Sequence, residues 1–194
     1  MTYTVYKVKE GGHFGWPFPF NRIGTNPYGM RVFGRWVIFD DTAEYDLGDE
    51  DQKDWNKLLG MRFHLCDNHK NSIMCGWRWN KNLRVIELNL YYHMNGKRYM
   101  TDTLATVKPG ETIAVFFTQD EVHANTRLHI QFENGEVIRS PEIEYDRYER
   151  SAWEIRHYFG GNEAAPHDVT ILMDSIKGYK DADSHYRIVA DRPY

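Results

Sequence analysis

The chain has 194 residues, of which 41% are hydrophobic, 27% charged and 15% aromatic. That balance excludes a disordered chain, and at this length roughly 70% of the unfolded surface can be buried without a disulfide framework or a structural metal. The net charge of −4 with neutral histidines excludes a general nucleic-acid binder, whose phosphate contacts need an excess of Lys and Arg.

Period two dominates the chain from its start. Residues 2–9 alternate as a strand, and Gly11 and Gly12 close it. The opening residues hold no apolar leader and no cleavage site, and no run approaches the ~20 apolar residues that span a bilayer. The expectation is a cytoplasmic protein, or a mature form whose leader has been removed, with no membrane association. Residues 13–28 carry Pro17, Pro19 and Pro27, which rule out a central strand. They predict a long loop packed down by Phe14, Trp16, Phe18 and Phe20. Residues 31–39 are the next strand. Residues 40–54, with six Asp and two Glu, read as a solvated acidic loop, because their spacing does not fit a calcium-binding loop. One helical turn is expected over 55–60.

Strands at 61–66 and 72–79 flank the polar loop 67–71. In the strand 83–93, Arg84, Ile86, Leu88, Leu90 and Tyr92 form the more apolar set and predict the core face. Asn95-Gly96 is a hairpin turn returning into 97–101, since both residues tolerate positive φ. Strands at 112–118, 126–132 and 136–139 follow, the last two joined at Asn134-Gly135. A short helix fits 141–151. Strands at 153–159, 168–173 and 184–190 complete the chain. About a dozen short strands with turn signals between them predict an all-β fold, one domain over 1–194 built as a two-sheet antiparallel β-sandwich. Cys66 and Cys75 either bridge one hairpin or stay as two reduced thiols; the second fits an unexported chain.

The segment order of the C-terminal half, from Gly110 through Asn134-Gly135 to Tyr158-Phe159-Gly160-Gly161-Asn162 and Asp168-Val169-Thr170-Ile171, resembles the closing strands of concanavalin-like jelly rolls. That resemblance covers about 65 residues, and it implies a fold shared by lectins, laminin-G-like modules and some polysaccharide lyases. The chain also resembles a set of small bacterial and phage proteins without an assigned activity. Trp55-Asn56-Lys57-Leu58 followed by Gly60, His69-Lys70-Asn71-Ser72, Gly76-Trp77-Arg78-Trp79, Asn95-Gly96-Lys97-Arg98 and Tyr158-Phe159-Gly160-Gly161-Asn162 through Ala165-Pro166-His167-Asp168 carry the likeness. That pattern often has an arginine where this chain has Met74.

Several residues could carry chemistry. His69 and Asn71 in the loop 67–72 offer directional donors and acceptors for a ligand, or merely make a polar connection. Alternation puts Trp77 and Trp79 on one face and Arg78 on the other. With the tryptophans in the core, Arg78 and Arg98 would form an anion-binding pair. Asn162 and His167 lie in a glycine-shaped segment. His167 beside Asp168 would need a third ligand such as His157 or His69 to hold a metal, and adjacent strand residues face opposite ways, so none is expected. No phosphate loop, dinucleotide fingerprint, nucleophile elbow or zinc-protease motif occurs, and no cofactor is expected.

The reading that follows is a non-catalytic ligand-binding sandwich. Its ligand is a glycan or an anionic small molecule such as a nucleotide. His129 and Gln131, on one face of a strand, together with Tyr158 keep open a polysaccharide lyase, in which a His base and a Tyr acid move a proton beside a sugar carboxylate. A phage or mobile-element accessory protein that binds a host protein is the third reading. An exposed sheet edge would also serve a homodimer.

Overall fold

Inward and outward side chains alternate along the strands of two antiparallel sheets. The computed structural model describes residues 2–18, 21–25, 30–48, 50–64, 67–120, 124–145 and 151–176, together with the backbone of 179–180 and 186–187. The strands are β1 (Thr4–Val8), β2 (Gly15–Trp16), β3 (Arg22–Ile23), β4 (Met30–Phe39), β5 (Asn56–Arg62), β6 (Ser72–Asn80), β7 (Val85–Met94) and β8 (Lys97–Met100). They continue as β9 (Ala105–Val107), β10 (Thr112–Asp120), β11 (Asn125–Phe132), β12 (Val137–Arg139), β13 (Ile143–Glu144), β14 (Ala152–Glu154) and β15 (Val169–Ser175). The first sheet runs β12-β11-β10-β4-β15-β1-β2, with β13 also on β11; the second runs β3-β14-β5-β6-β7-β8, with β9 also on β7. This is the two-sheet sandwich of jelly-roll type that the strand pattern predicts. A separate pair joins β16 (Tyr179–Lys180) to β17 (Tyr186–Arg187), and the rest of the strand expected at 184–190 lies outside the described residues.

The core sits between the sheets. Ile73, Cys75, Trp77 and Trp79 of β6 and Ile86, Leu88 and Leu90 of β7 face Val37 and Phe39 of β4, Ile113, Val115 and Phe117 of β10, and Ile171 of β15. Trp77 is fully buried, tilted against Phe39 at 5.3 Å between centroids and edge-on to Tyr45 at 5.9 Å. Burying each such side chain stabilises by about 1.5–3 kcal/mol. Cys75 is a buried thiol that burial pushes well above its ordinary range; Cys66 lies outside the described residues. With the odd-numbered side chains of β6 turned inward, Met74, Gly76 and Arg78 lie on the outer face of the second sheet. On β7 the same face takes Glu87, Asn89, Tyr91 and His93.

Four local expectations change. Residues 55–60 form no helical turn: β5 begins at Asn56, and a register shift between Lys57 and Leu59 sets two apolar residues side by side, which hides the alternation. The proline-rich segment contributes two-residue strands at the sheet margins, and its aromatics are not packed down: Phe14 is 57% exposed, Trp16 70% and Phe18 43%. Phe20 lies outside the described residues. Ile143–Glu144 pairs with β11 instead of starting a helix, and 146–150 lie outside the described residues. The turn at Asn134-Gly135 spans three residues, because Phe132 and Glu136 close it and Gly135 alone takes positive φ. Among the described residues no helix is long and apolar enough to cross a membrane.

Candidate ligand-binding site

The outer face of the second sheet is polar at its ends and apolar at its centre. Met74 from β6, Tyr91 from β7, Ile155 and the half-buried Trp55 pack into a small cluster there. Gly60 of β5 permits this: a Cβ at that position would sit 2.3 Å from the Ile73 carbonyl and 2.5 Å from Met74 Cβ. Met74 is fully buried and forms apolar floor here.

A cavity of about 510 Å³ opens beside this floor. Lys57 and Tyr158 enter it together, because their backbones pair: Lys57 N–H donates to the Tyr158 carbonyl at 2.8 Å and Tyr158 N–H to the Lys57 carbonyl at 2.9 Å. The Gly160 N–H donates to the buried Asn56 Oδ1, which holds the 160–162 segment against the start of β5. Gly161 lets Asp54 approach; a Cβ there would meet the Asp54 carboxylate. Arg98 of β8 and His69 of the 67–71 loop line the cavity with Asn162.

Charge and aromatic rings meet at Lys57. Its ammonium lies 4.7 Å from the Tyr158 ring centroid and 5.8 Å from that of Tyr91. The Tyr158 ring is stacked by His13 at 5.3 Å and met edge-on by Phe14 at 5.2 Å. Burial pushes the Lys57 pKa below the ordinary lysine value, and the nearby Arg98 pushes the same way. Tyr91 is pushed up by burial, while a hydrogen bond from Arg98 opposes that shift. Among the described residues neither Lys57 nor Arg98 forms a salt bridge. Among the described residues, two cations therefore face one cavity against the single carboxylate of Asp54.

Below His69 is the buried His93, pushed down to about 4 by burial first and then by His69, Lys57 and Arg98. His69 Nδ1 and His93 Nε2 are 3.3 Å apart.

Of the residues singled out in the sequence, His69, Arg98, Tyr158 and Asn162 come together at this cavity. The others go elsewhere. Asn71 accepts the Asn95 N–H at 2.8 Å and secures the adjacent hairpin. Arg78 does not pair with Arg98: its Nε donates to Glu87 at 2.7 Å, its Nη1 to the Lys53 carbonyl at 2.9 Å, and its guanidinium stacks 4.3 Å over Trp55. It borders a separate cavity of about 380 Å³. His129 and Gln131 lie on β11 in the other sheet; His129 stacks on Phe116 at 4.6 Å, and burial pushes it down to about 4. His167 donates from Nε2 to the Thr42 carbonyl, and Asp168 turns to Lys7, Lys9 and the Glu10 N–H, so the two do not share a site. His157 is buried under Trp77 and donates from Nδ1 to the Lys57 carbonyl.

Lys57, Tyr91, Trp55 and Asp54 were not among the candidate site residues, although Trp55 and Lys57 stand in the Trp55-Asn56-Lys57-Leu58 stretch that carries part of the likeness. Tyr91 was detectable, since it alternates with the apolar set of β7. Lys57 was hidden by the register shift beside it.

No family model and no curated protein sequence matches the chain. Solved structures do. A protein of unknown function from Saccharomyces cerevisiae aligns over 87% of this chain and 82% of its own, with 10% identity and a TM-score of 0.53. An alginate lyase from a Chlorella virus aligns over 89% and 82%, with 10% identity and a TM-score of 0.54. A heptameric pentraxin from Limulus polyphemus aligns more loosely, over 88% and 74%, with 14% identity and a TM-score of 0.44. At these identities the likeness is one of fold.

Proposed function

We propose that the chain binds an acidic glycan, a uronate-bearing oligosaccharide, in the cavity of the second sheet, with one carboxylate seated between Lys57 and Arg98. The observation that carries this reading is the pair of cations that face one cavity without a salt-bridge partner among the described residues. An arginine fork and an ammonium suit a carboxylate, and the bonds they make to it are charge-assisted. Trp55, Tyr91 and Tyr158 line the cavity and give its wall aromatic surface beside the two cations. The cavity volume falls within the ~300–1,000 Å³ range of small-ligand sites. The alginate lyase with the same fold, whose substrate is an acidic polysaccharide, supports this ligand class.

A second reading is favoured by one further feature. The desolvated Lys57 ammonium lies beside two tyrosine rings, and one of those tyrosines is hydrogen-bonded by Arg98. Such a set could move a proton next to a carboxylate that Arg98 neutralises, which is lyase chemistry.

Titration calorimetry with oligo-uronates, matched neutral oligosaccharides and a mononucleotide tests the first reading. Binding confined to the uronates is expected. Equal binding of the neutral sugars, or tighter binding of the nucleotide, would overturn it. The same uronates followed by near-ultraviolet absorbance test the second: a growing unsaturated product supports elimination, and a flat trace rules it out.

A further inference from the structure

Four groups running from the rim of the cavity to the buried face beneath it are joined by hydrogen bonds whose directions can be assigned. Ser72 Oγ lies 2.6 Å from the Asn68 carbonyl oxygen, which can only accept, so the single hydroxyl proton of Ser72 points there. Ser72 Oγ is also 3.1 Å from His93 Nδ1. With its proton already committed, Ser72 can only accept from His93, which must therefore carry its proton on Nδ1. A neutral His93 then has a bare Nε2. That nitrogen is 3.3 Å from His69 Nδ1, so His69 donates from Nδ1. Neutral His93 is the form that burial and the neighbouring cations favour. His93 and Ser72 are both buried, whereas His69 is exposed at the rim of the cavity.

We propose that this chain selects the tautomer of His69, so that neutral His69 offers a bare Nε2 as the acceptor for a ligand hydroxyl. His69 is then the contact that reads a sugar hydroxyl, complementing the two cations that take the carboxylate. Ser72 and His93 are positioning residues that act through it. The assignment of a ligand hydroxyl rests on the cavity being the glycan site; the assignment of the tautomer does not.

Long-range proton–nitrogen correlation spectra of the full chain at neutral pH test the tautomer without a ligand. His93 and His69 should both show a protonated Nδ1 and an unprotonated Nε2. Ser72→Ala removes the acceptor of the His93 proton and should shift both rings towards tautomer mixtures, with Ser72→Thr restoring the wild-type pattern. A purely structural serine would leave the His69 signals unchanged. If Ser72→Ala fails to fold, His93→Leu, which deletes the acceptor next to His69 directly, gives the same readout. Oligo-uronate affinity should fall by about threefold to tenfold in His69→Ala, the loss expected for one neutral hydrogen bond. A wild-type His69 protonated on Nε2, or His69 signals indifferent to both substitutions, would overturn the proposal. If the spectra follow the prediction while no oligo-uronate binds, the binding reading fails and the tautomer assignment stands.

Discussion

Arg98 and Arg78 carry the same charge on the same sheet face, yet their surroundings assign them opposite tasks. Arg78 is spent: Glu87, the Lys53 carbonyl and the Trp55 face occupy its guanidinium. Arg98 is exposed beside Tyr91, and among the described residues it forms no salt bridge. Removing each should therefore show in different measurements. Arg98→Ala or Lys57→Met should weaken oligo-uronate binding about tenfold to hundredfold by calorimetry, the loss of one charge-assisted bond, with little change in melting temperature. Arg78→Ala should leave affinity intact but destabilise by about 1–3 kcal/mol, because the nearly buried Glu87 loses its cation. Sequence could not separate these arginines. Arg78 was legible as outward-facing from its two tryptophan neighbours, but its partner Glu87 and the stacking Trp55 come from other segments.

Among the elements, β7 was the most legible, because its alternation is unbroken and one of its two faces is almost wholly aliphatic. β5 was the least legible, since its register shift breaks the period and its outward residues Lys57 and Gly60 carry no hydrophobic contrast. The site depends on β5, so the strand hardest to read holds its most informative cation. Strand pairing imposes requirements that composition does not announce. Gly34 of β4 lies opposite Phe116 of β10, where an added Cβ would meet Phe116 Cβ at 2.4 Å and the Val115 carbonyl at 2.6 Å. Gly34→Ala should destabilise the sheet by roughly 1–3 kcal/mol, as overpacking does, and lower the calorimetric melting temperature. Gly24→Ala, with nothing within 4 Å of its new Cβ, should leave the melting temperature nearly unchanged. Equal effects of the two would contradict the pairing.

At the scale of the whole molecule, stability should fall in mild acid. His93 and His157 are buried and held near 4, against an ordinary value of 6.5, with burial the leading cause for both. Lowered pKa values mean that the unfolded chain takes up protons first, so the stability gained from keeping these rings neutral is present above about 6.5. It is lost as pH falls towards about 4, where the folded protein also takes them up. Each ring contributes on the order of 1–3 kcal/mol across that window. Asp168, held at about 2 chiefly by its bond from Lys9, matters only below the ordinary carboxylate range. Denaturant midpoints should decline between those limits, and a flat profile would contradict the buried neutral histidines. The fold itself was readable because a sandwich announces itself by repeated short alternating strands. The site was readable only in part, since it joins β5, the 67–71 loop, β7, β8 and the 158–162 segment, whose contact depends on pairings far apart in sequence. The most direct test of the proposed glycan site is an NMR titration of the labelled chain with an oligo-uronate. Shift changes should concentrate at Lys57, His69, Tyr91, Arg98 and Tyr158, as that site requires. Changes concentrated at His129 and Gln131 on the opposite sheet, or none at saturating ligand, would contradict it.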